Sequence, residues 1–252
     1  MSTRIMTQYL QRITKHLEVL HDTNTTSIQL AARMVADQIK NDKIVYAYGP
    51  GGHSNLGSQE LFFRAGGLMH MSAMLDEGTL LSGGALRSMA IERTPGYGII
   101  VIDDYNLGQD DLLILINAYG INAAVIDAAL EARRRGVKII GVTSVRHAQA
   151  TAAEHPARHP SKKNLYEVVD VVLDSNIDVG DAVITIEGVD QPVGPLSTFA
   201  TTYLLNSMVA EAVNLLAQEG VQPPIWRSGN APDGDEVNAQ FIDRFKGRIK
   251  KL

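Results

Sequence analysis

Five short apolar runs punctuate this chain, at 44–48, 68–75, 112–116, 137–142 and 168–173, with helical stretches between them. A strand that is apolar along its whole length, and not only at alternate residues, has to be covered on both faces. Such strands alternating with helices lead to a parallel sheet, because each parallel link needs a long crossover and the crossover lays a helix on a face. The crossovers are expected to be right-handed. The clearest helix spans 123–135, between the third and fourth runs, and ends before Gly136, a glycine suited to close it. The fold class predicted from this pattern is α/β, a three-layer α/β/α sandwich.

The flanks read as helical. Met6, Leu10, Ile13, Leu17 and Leu20 recur at helical spacing, and so do Ile28, Ala31, Ala32, Val35 and Ile39. Residues 23–26 (TNTT) fall between the two stripes and offer capping side chains, so the spacing predicts a helical hairpin over 1–41, for packing or oligomerisation. The α/β core follows over 42–220, with a short extra strand in 182–188 and a long helix over 198–217. The tail, 221–252, carries Pro223-Pro224, the single tryptophan Trp226, a Gly/Asn/Asp loop and a basic helix over 236–250. The stretch 97–105 (YGIIVIDDY) has strand propensity but sits just before the third run. There is no internal repeat, so the whole of 1–252 reads as one domain.

Charge and cysteine narrow the function. Lys and Arg total 23 against 28 Asp and Glu, a net charge of −5, which leaves no basic excess for nucleic acid. Without cysteine there is no disulfide framework, thiolate nucleophile or Cys-ligated zinc. Residues 1–20 place Arg4, Gln8, Gln11, Arg12 and Lys15 among their apolar positions, unlike a signal peptide or a spanning helix. A cytoplasmic protein with no membrane or nucleic-acid partner is expected.

In an open α/β sheet, ligands sit beyond the carboxyl ends of the strands. The loop after the first run, Gly49-Pro50-Gly51-Gly52-His53-Ser54-Asn55, is the strongest signal there. Glycines let backbone N–H groups approach an anion, and the following helix adds a partial positive charge. Ser54 fits as the N-cap or as a hydroxyl donor to a ligand. A dinucleotide fingerprint fails, because its third glycine would fall on Ser54, although Asp76 lies where a ribose-binding acid is expected. A P-loop is excluded, since no G-K-[ST] occurs. Glu60, in the helix after the loop, reads either as a salt bridge to Arg64 or as a carboxylate base. The basic stretch 146–163, with His147, His155, Arg158 and His159, reads as a solvated loop or as one that closes on an anion. Its histidines as metal ligands are a weaker alternative.

Together, GPGGHSNLGSQELFFRAGGL at 49–68, ALEARRRGVKIIGVTS at 129–144, LYEVVDVVLD at 165–174, GPLST at 194–198 and PPIWRSGNAPDGDEVN at 223–238 resemble the sugar isomerase (SIS) domain family, in particular its phosphoheptose-isomerase-like group. The resemblance covers nearly the whole chain. It implies a five-stranded parallel sheet, subunits paired as a homodimer or homotetramer with the site near their interface, and a helix over 97–106. It matches His53 and Ser54 to the family's first-loop pair, Glu60 to its helix carboxylate, and Gly120 and Asn122 to its second loop. Two departures stand out. Pro50 lengthens the first loop, and the second loop reads NAYGIN at 117–122 where phosphosugar binders carry serines.

The expected function is binding of a sugar or sugar phosphate, with aldose–ketose isomerisation by a carboxylate base. Glu60 is the expected base, and His53 or His159 the acid. Gly51, Gly52, Ser54, Asn117, Gly120, Asn122 and Ser144 are expected to hold the substrate, with no metal or cofactor. A non-catalytic sugar-phosphate sensor is the alternative, and a nicotinamide-dependent oxidoreductase a weaker one.

Overall fold

The computed structural model describes residues 4–252. In chain order the elements are α1 (Ile5–Lys40), β1 (Val45–Tyr48), α2 (Ser54–Leu61), β2 (Met71–Ala73), α3 (Ala85–Glu92), α4 (Tyr97–Asp104), β3 (Leu112–Ile116) and α5 (Ala123–Arg134). They continue with β4 (Lys138–Thr143), α6 (Val145–Ala150), β5 (Val171–Asp174), β6 (Ala182–Ile184), β7 (Val193–Pro195), α7 (Ser197–Gln218) and α8 (Gly234–Phe245). The first five strands form one parallel sheet in the order β2-β1-β3-β4-β5. β6 and β7 form a separate antiparallel pair.

The central strand shows why the apolar runs had to be continuous. Along β3, Leu112, Ile114 and Ile116 pack into the layer that holds α1 and α7, while Leu113 and Leu115 pack into the layer that holds α4 and α5. Every residue of the strand is buried, so neither face tolerates a polar side chain. A third, smaller cluster, Ile44, Met69, Trp226, Phe245 and Ile249, docks the C-terminal tail. Leu68 and Met69, read as the start of the second strand, pair instead with that tail: Leu68 bridges Ile225, and Met69 N–H donates to the Pro224 carbonyl at 3.0 Å.

Two sequence expectations are corrected. Of the expected hairpin over 1–41, residues 1–3 lie outside the described residues; the rest is one continuous helix. The capping side chains at 23–25 are satisfied within it: Thr23 and Thr25 donate to the carbonyls of Val19 and His21, one turn back. Asn24 points inward, donating to the Asp174 carbonyl at 3.0 Å and accepting from the Asp174 N–H at 2.8 Å, which ties α1 to β5. The segment 97–104 is helical, as the family resemblance implied and against its own strand propensity. It packs so closely on α5 that a Cβ on Gly98 would lie 2.1 Å from the Ala124 carbonyl oxygen. The basic C-terminal helix ends at Phe245, and Arg244 and Arg248 both reach Asp42.

Among the described residues no helix is long and apolar enough to cross a membrane. The continuity of α1 gives a direct test. Thr26 is exposed mid-helix, where proline costs about 3 kcal/mol. Thr26→Pro is expected to lower the melting temperature by roughly 6–12 °C. A hairpin loop at this point would leave it nearly unchanged.

Candidate functional site

The strand order fixes where the site opens. From β1 the chain passes to β2 on one side, and β3 lies on the other. The loops after β1 and β3 therefore leave the sheet side by side, at the switch point where such folds bind ligands. They touch there: the Asn117 amide reaches the Pro50 carbonyl at 3.5 Å.

The first loop turns tightly. A Cβ on Gly49 would lie 2.1 Å from the Ser54 carbonyl oxygen. Gly51 and Gly52 both have positive φ, 81° and 39°, the backbone form that turns successive N–H groups toward one side. Gly52 N–H approaches Ser88 Oγ of α3 at 3.4 Å, and Ser88 donates to the Thr79 carbonyl at 2.7 Å, so α3 is fastened to the loop. Ser54 is the first residue of α2 and not its cap. His53 holds the cap position without a side-chain hydrogen bond. The helix thus begins with its positive pole unoccupied by any side chain of its own.

A cleft of about 290 Å³ lies over these loops. Its first wall is Gly51, Gly52, His53 and Ser54; its second is Asn117, Ala118, Tyr119 and Asn122. A third wall, which sequence reasoning did not find, comes from the start of α7 with Ser197, Thr198, Thr201 and Thr202. Ser54, Thr198 and Thr201 make no side-chain hydrogen bond among the described residues, so their hydroxyls are free to meet a ligand. Ser197 is not free: it donates to Asp181 at 2.5 Å, and Asp181 also accepts the N–H groups of Leu196 and Ser197 at 2.9 and 2.8 Å. Asp181 therefore caps α7, whose positive pole is neutralised by its own chain.

Glu92, the last residue of α3, is the other wall residue with no clear sequence signal. Its carboxyl rests on the bare face of Gly51, where a Cβ would come within 1.5 Å of Oε2. No hydrogen bond or ion pair to this carboxylate is formed among the described residues. Burial pushes its pKa up to about 7, with Arg93 pulling weakly the other way. No lysine or arginine lines the cleft.

The remaining expected residues are placed as follows. Asn117 accepts the N–H groups of Tyr119 and Gly120 at 3.2 and 2.7 Å, which shapes the second loop. Gly120 turns that loop at φ 62°. The Asn122 amide donates to the Ala157 carbonyl at 3.3 Å. Ser144 is buried below the cleft as the cap of α6, accepting from His147 N–H and donating to Ile177. Glu60 lies outside the cleft lining, bonded to Arg64 at 3.1 Å and Asn206 at 3.0 Å. His159 is also away from it, held by Asp127 at 3.0 Å and Ser161 at 2.7 Å. In the basic stretch, Arg158 uses its donors on the carbonyls of Ala148, Thr151 and Ala152 and on Asn164. It pins the loop. No residue of 146–163 lines the cleft, and among the described residues no metal-ligating cluster forms.

A family model for the SIS domain matches residues 8–144. A UPF0309 protein of Geobacillus kaustophilus is 36% identical over 248 residues, covering 98% of this chain and 97% of its own length. One from Streptomyces coelicolor is 37% identical over 245 residues, covering 96% and 95%. Among solved structures, a phosphoheptose isomerase from Neisseria gonorrhoeae superposes with a TM-score of 0.55 at 15% identity, over 84% of this chain and 97% of that one. The sugar isomerase domain of an RpiR transcription factor from Sphaerobacter thermophilus gives 0.52 at 15%, over 96% and 99%. At such identity the structural matches speak for the fold, while the sequence matches reach the family: the chain belongs to the SIS domain family and, within it, to the UPF0309 proteins.

Proposed function

We propose that the cleft binds a sugar phosphate and that the protein is an aldose–ketose isomerase acting on it. The observation that carries this reading is the donor set at the switch point. The glycine turn and the uncapped start of α2 bound one end of the cleft, and the free hydroxyls of Ser54, Thr198 and Thr201 surround it, while the Gly52 and Ser54 N–H groups already donate to Ser88 Oγ and the Gly51 carbonyl. That set suits a phosphate, which accepts many hydrogen bonds and is favoured at a helix N-terminus. The start of α7 stands in for the serines that the second loop lacks. The SIS family name, and the words isomerase and sugar isomerase in the names of the structural neighbours, point the same way.

Isomerisation needs one group to take a proton from the carbon next to a carbonyl and return it to the neighbouring carbon, and a second to serve the oxygens. It needs no cofactor. His53 at the cleft is the proposed acid, and Gly51, Gly52, Asn117, Gly120 and Asn122 the proposed frame of the substrate site. Ser144 acts from beneath by fixing the loop after β4. Glu60, with its bond to Asn206, is in a position to clamp α2 against α7; His159 clamps the basic loop to α5. A homodimer or homotetramer in the cytoplasm remains part of the proposal. Its support is the apolar run of Met6 and Leu10 on α1 and Phe199 on α7, all exposed, with Phe199 next to Thr198 of the cleft.

Two outcomes are expected. In a thermal-shift panel of aldose and ketose phosphates and their unphosphorylated sugars, only the phosphates raise the melting temperature, and Thr201→Val weakens the best of them about tenfold. No shift with any phosphate would remove the reading; a shift without turnover would favour the non-catalytic sensor. Gly51→Ala places a Cβ where the Glu92 carboxyl sits and forces a residue into positive φ, a cost of about 1–2 kcal/mol. Loss of phosphate binding is expected along with it, measured by calorimetry on the folded variant.

A further inference from the structure

We infer that Glu92 is the carboxylate that moves the carbon-bound proton in the reaction. The inference rests on the isomerase reading above and gives that reading its base. Glu92 is the one glutamate in the cleft lining, and it stands against Gly51, beside the proposed phosphate cradle. Its carboxyl is bound to no cation, whereas Glu60 is held by Arg64 and Asn206 outside the cleft. Asp181, the other carboxylate in the lining, is saturated by the start of α7. A carboxylate base must reach its substrate and must be free to accept a proton, and among the carboxylates compared only Glu92 meets both conditions.

With an aldose phosphate, the Glu92 carboxylate takes the proton from C2. The electron pair of the broken C2–H bond forms the C1=C2 double bond, and the former carbonyl oxygen O1 accepts a proton from the acid, giving an enediol. Glu92, now a carboxylic acid, returns its proton to C1. The O2–H proton goes back to the acid as C2=O2 forms. The product is the ketose, and both protein groups end as they began. Burial raises the carboxyl toward neutrality, where a base both exists in its charged form and holds a proton well enough to carry it. The titratable and charged groups around it are Arg93 next in sequence, the Tyr48 phenol at the end of β1, the Tyr119 phenol of the second loop, and His53 and Asp181 in the same lining.

The test uses the full chain and the sugar phosphate that gives the largest thermal shift. Glu92→Gln is expected to lower kcat by about 10²–10⁴-fold, with the ligand-induced melting shift retained, and Glu92→Asp to recover part of the rate. In the wild type, kcat/KM should rise with pH through about 7, as the carboxylate becomes free. Glu60→Gln should lose less than tenfold. A Glu92→Gln enzyme within threefold of wild type overturns the inference, and so does a Glu60→Gln enzyme that alone fails. Binding without turnover, and without exchange of the C2 proton in D2O, overturns it while leaving sugar-phosphate binding in place. No binding by any sugar phosphate brings down both.

A substrate-free measurement stands beside these. A carboxyl whose pKa is raised by folding binds its proton more tightly in the native state than in the unfolded chain. Its contribution to stability is therefore full below the unfolded pKa of about 4.3 and is lost as pH rises through the folded value near 7. Glu92→Gln should melt above wild type at pH 8 and lose that advantage near pH 4. Equal melting at pH 8 would mean that the carboxyl is not held as the inference requires.

Discussion

The structure depends on one constraint: a parallel sheet buried on both faces has no room for polar chemistry except at its ends. β1 and β3 are apolar on both sides, so their polar neighbours are pushed into the loops where the strands stop. Because β2 and β4 lie on opposite flanks of the β1–β3 pair, the two loops leave a gap between them at the carboxyl end. The cleft is thus a consequence of strand order, and the side chains of α3 and α7 only line what the topology has opened. Packing on the sheet's two faces holds α7 against α1 on one side and α4 and α5 on the other, and Ser88 fastens α3 to the loop.

That division also explains what could be read from the sequence. The strands were legible because double burial writes them as unbroken apolar runs, and the 112–116 run matches β3 residue for residue. The glycine turn was legible because few residues adopt its backbone form. The break in α1 was misread, since threonine and asparagine favour caps yet are equally satisfied by the carbonyls one turn back. Residues 97–104 defeated propensity because α4 is held by tertiary contact, through Gly98 on α5. Glu92 could not be found at all: nothing about a glutamate between Ile91 and Arg93 differs from a solvated helix end, and its meaning arises when the fold lays α3 on Gly51, far back in the chain.

The basic stretch shows the same lesson in reverse. Seven basic side chains in 146–163 suggested a lid on an anion, yet Arg158 is consumed by backbone carbonyls and His159 by Asp127. An irregular segment must satisfy its carbonyl groups somewhere, and a guanidinium with five donors does this for several at once. A high density of basic residues in a loop is therefore compatible with internal scaffolding as well as with ligand capture, and only the direction of the donors separates the two.

The electrostatics of the cleft follow from the placement of its two carboxylates. Asp181 neutralises the start of α7, which leaves the start of α2 as the exposed positive pole. Glu92 lies on the other face of the same glycine turn. An anion and a carboxylate a few ångströms apart repel, and no lysine or arginine in the lining offsets the repulsion. In the proposed complex this repulsion would favour a phosphate seated toward Ser54 and the threonines of α7, beside and not against Glu92. Its charge must also raise the affinity of Glu92 for a proton. Under the proposed reading that coupling would have a direction: phosphate binding would make Glu92 a stronger base when a substrate carbon is in front of it. The bare face of Gly51 is what lets the carboxyl approach closely enough for the coupling to act.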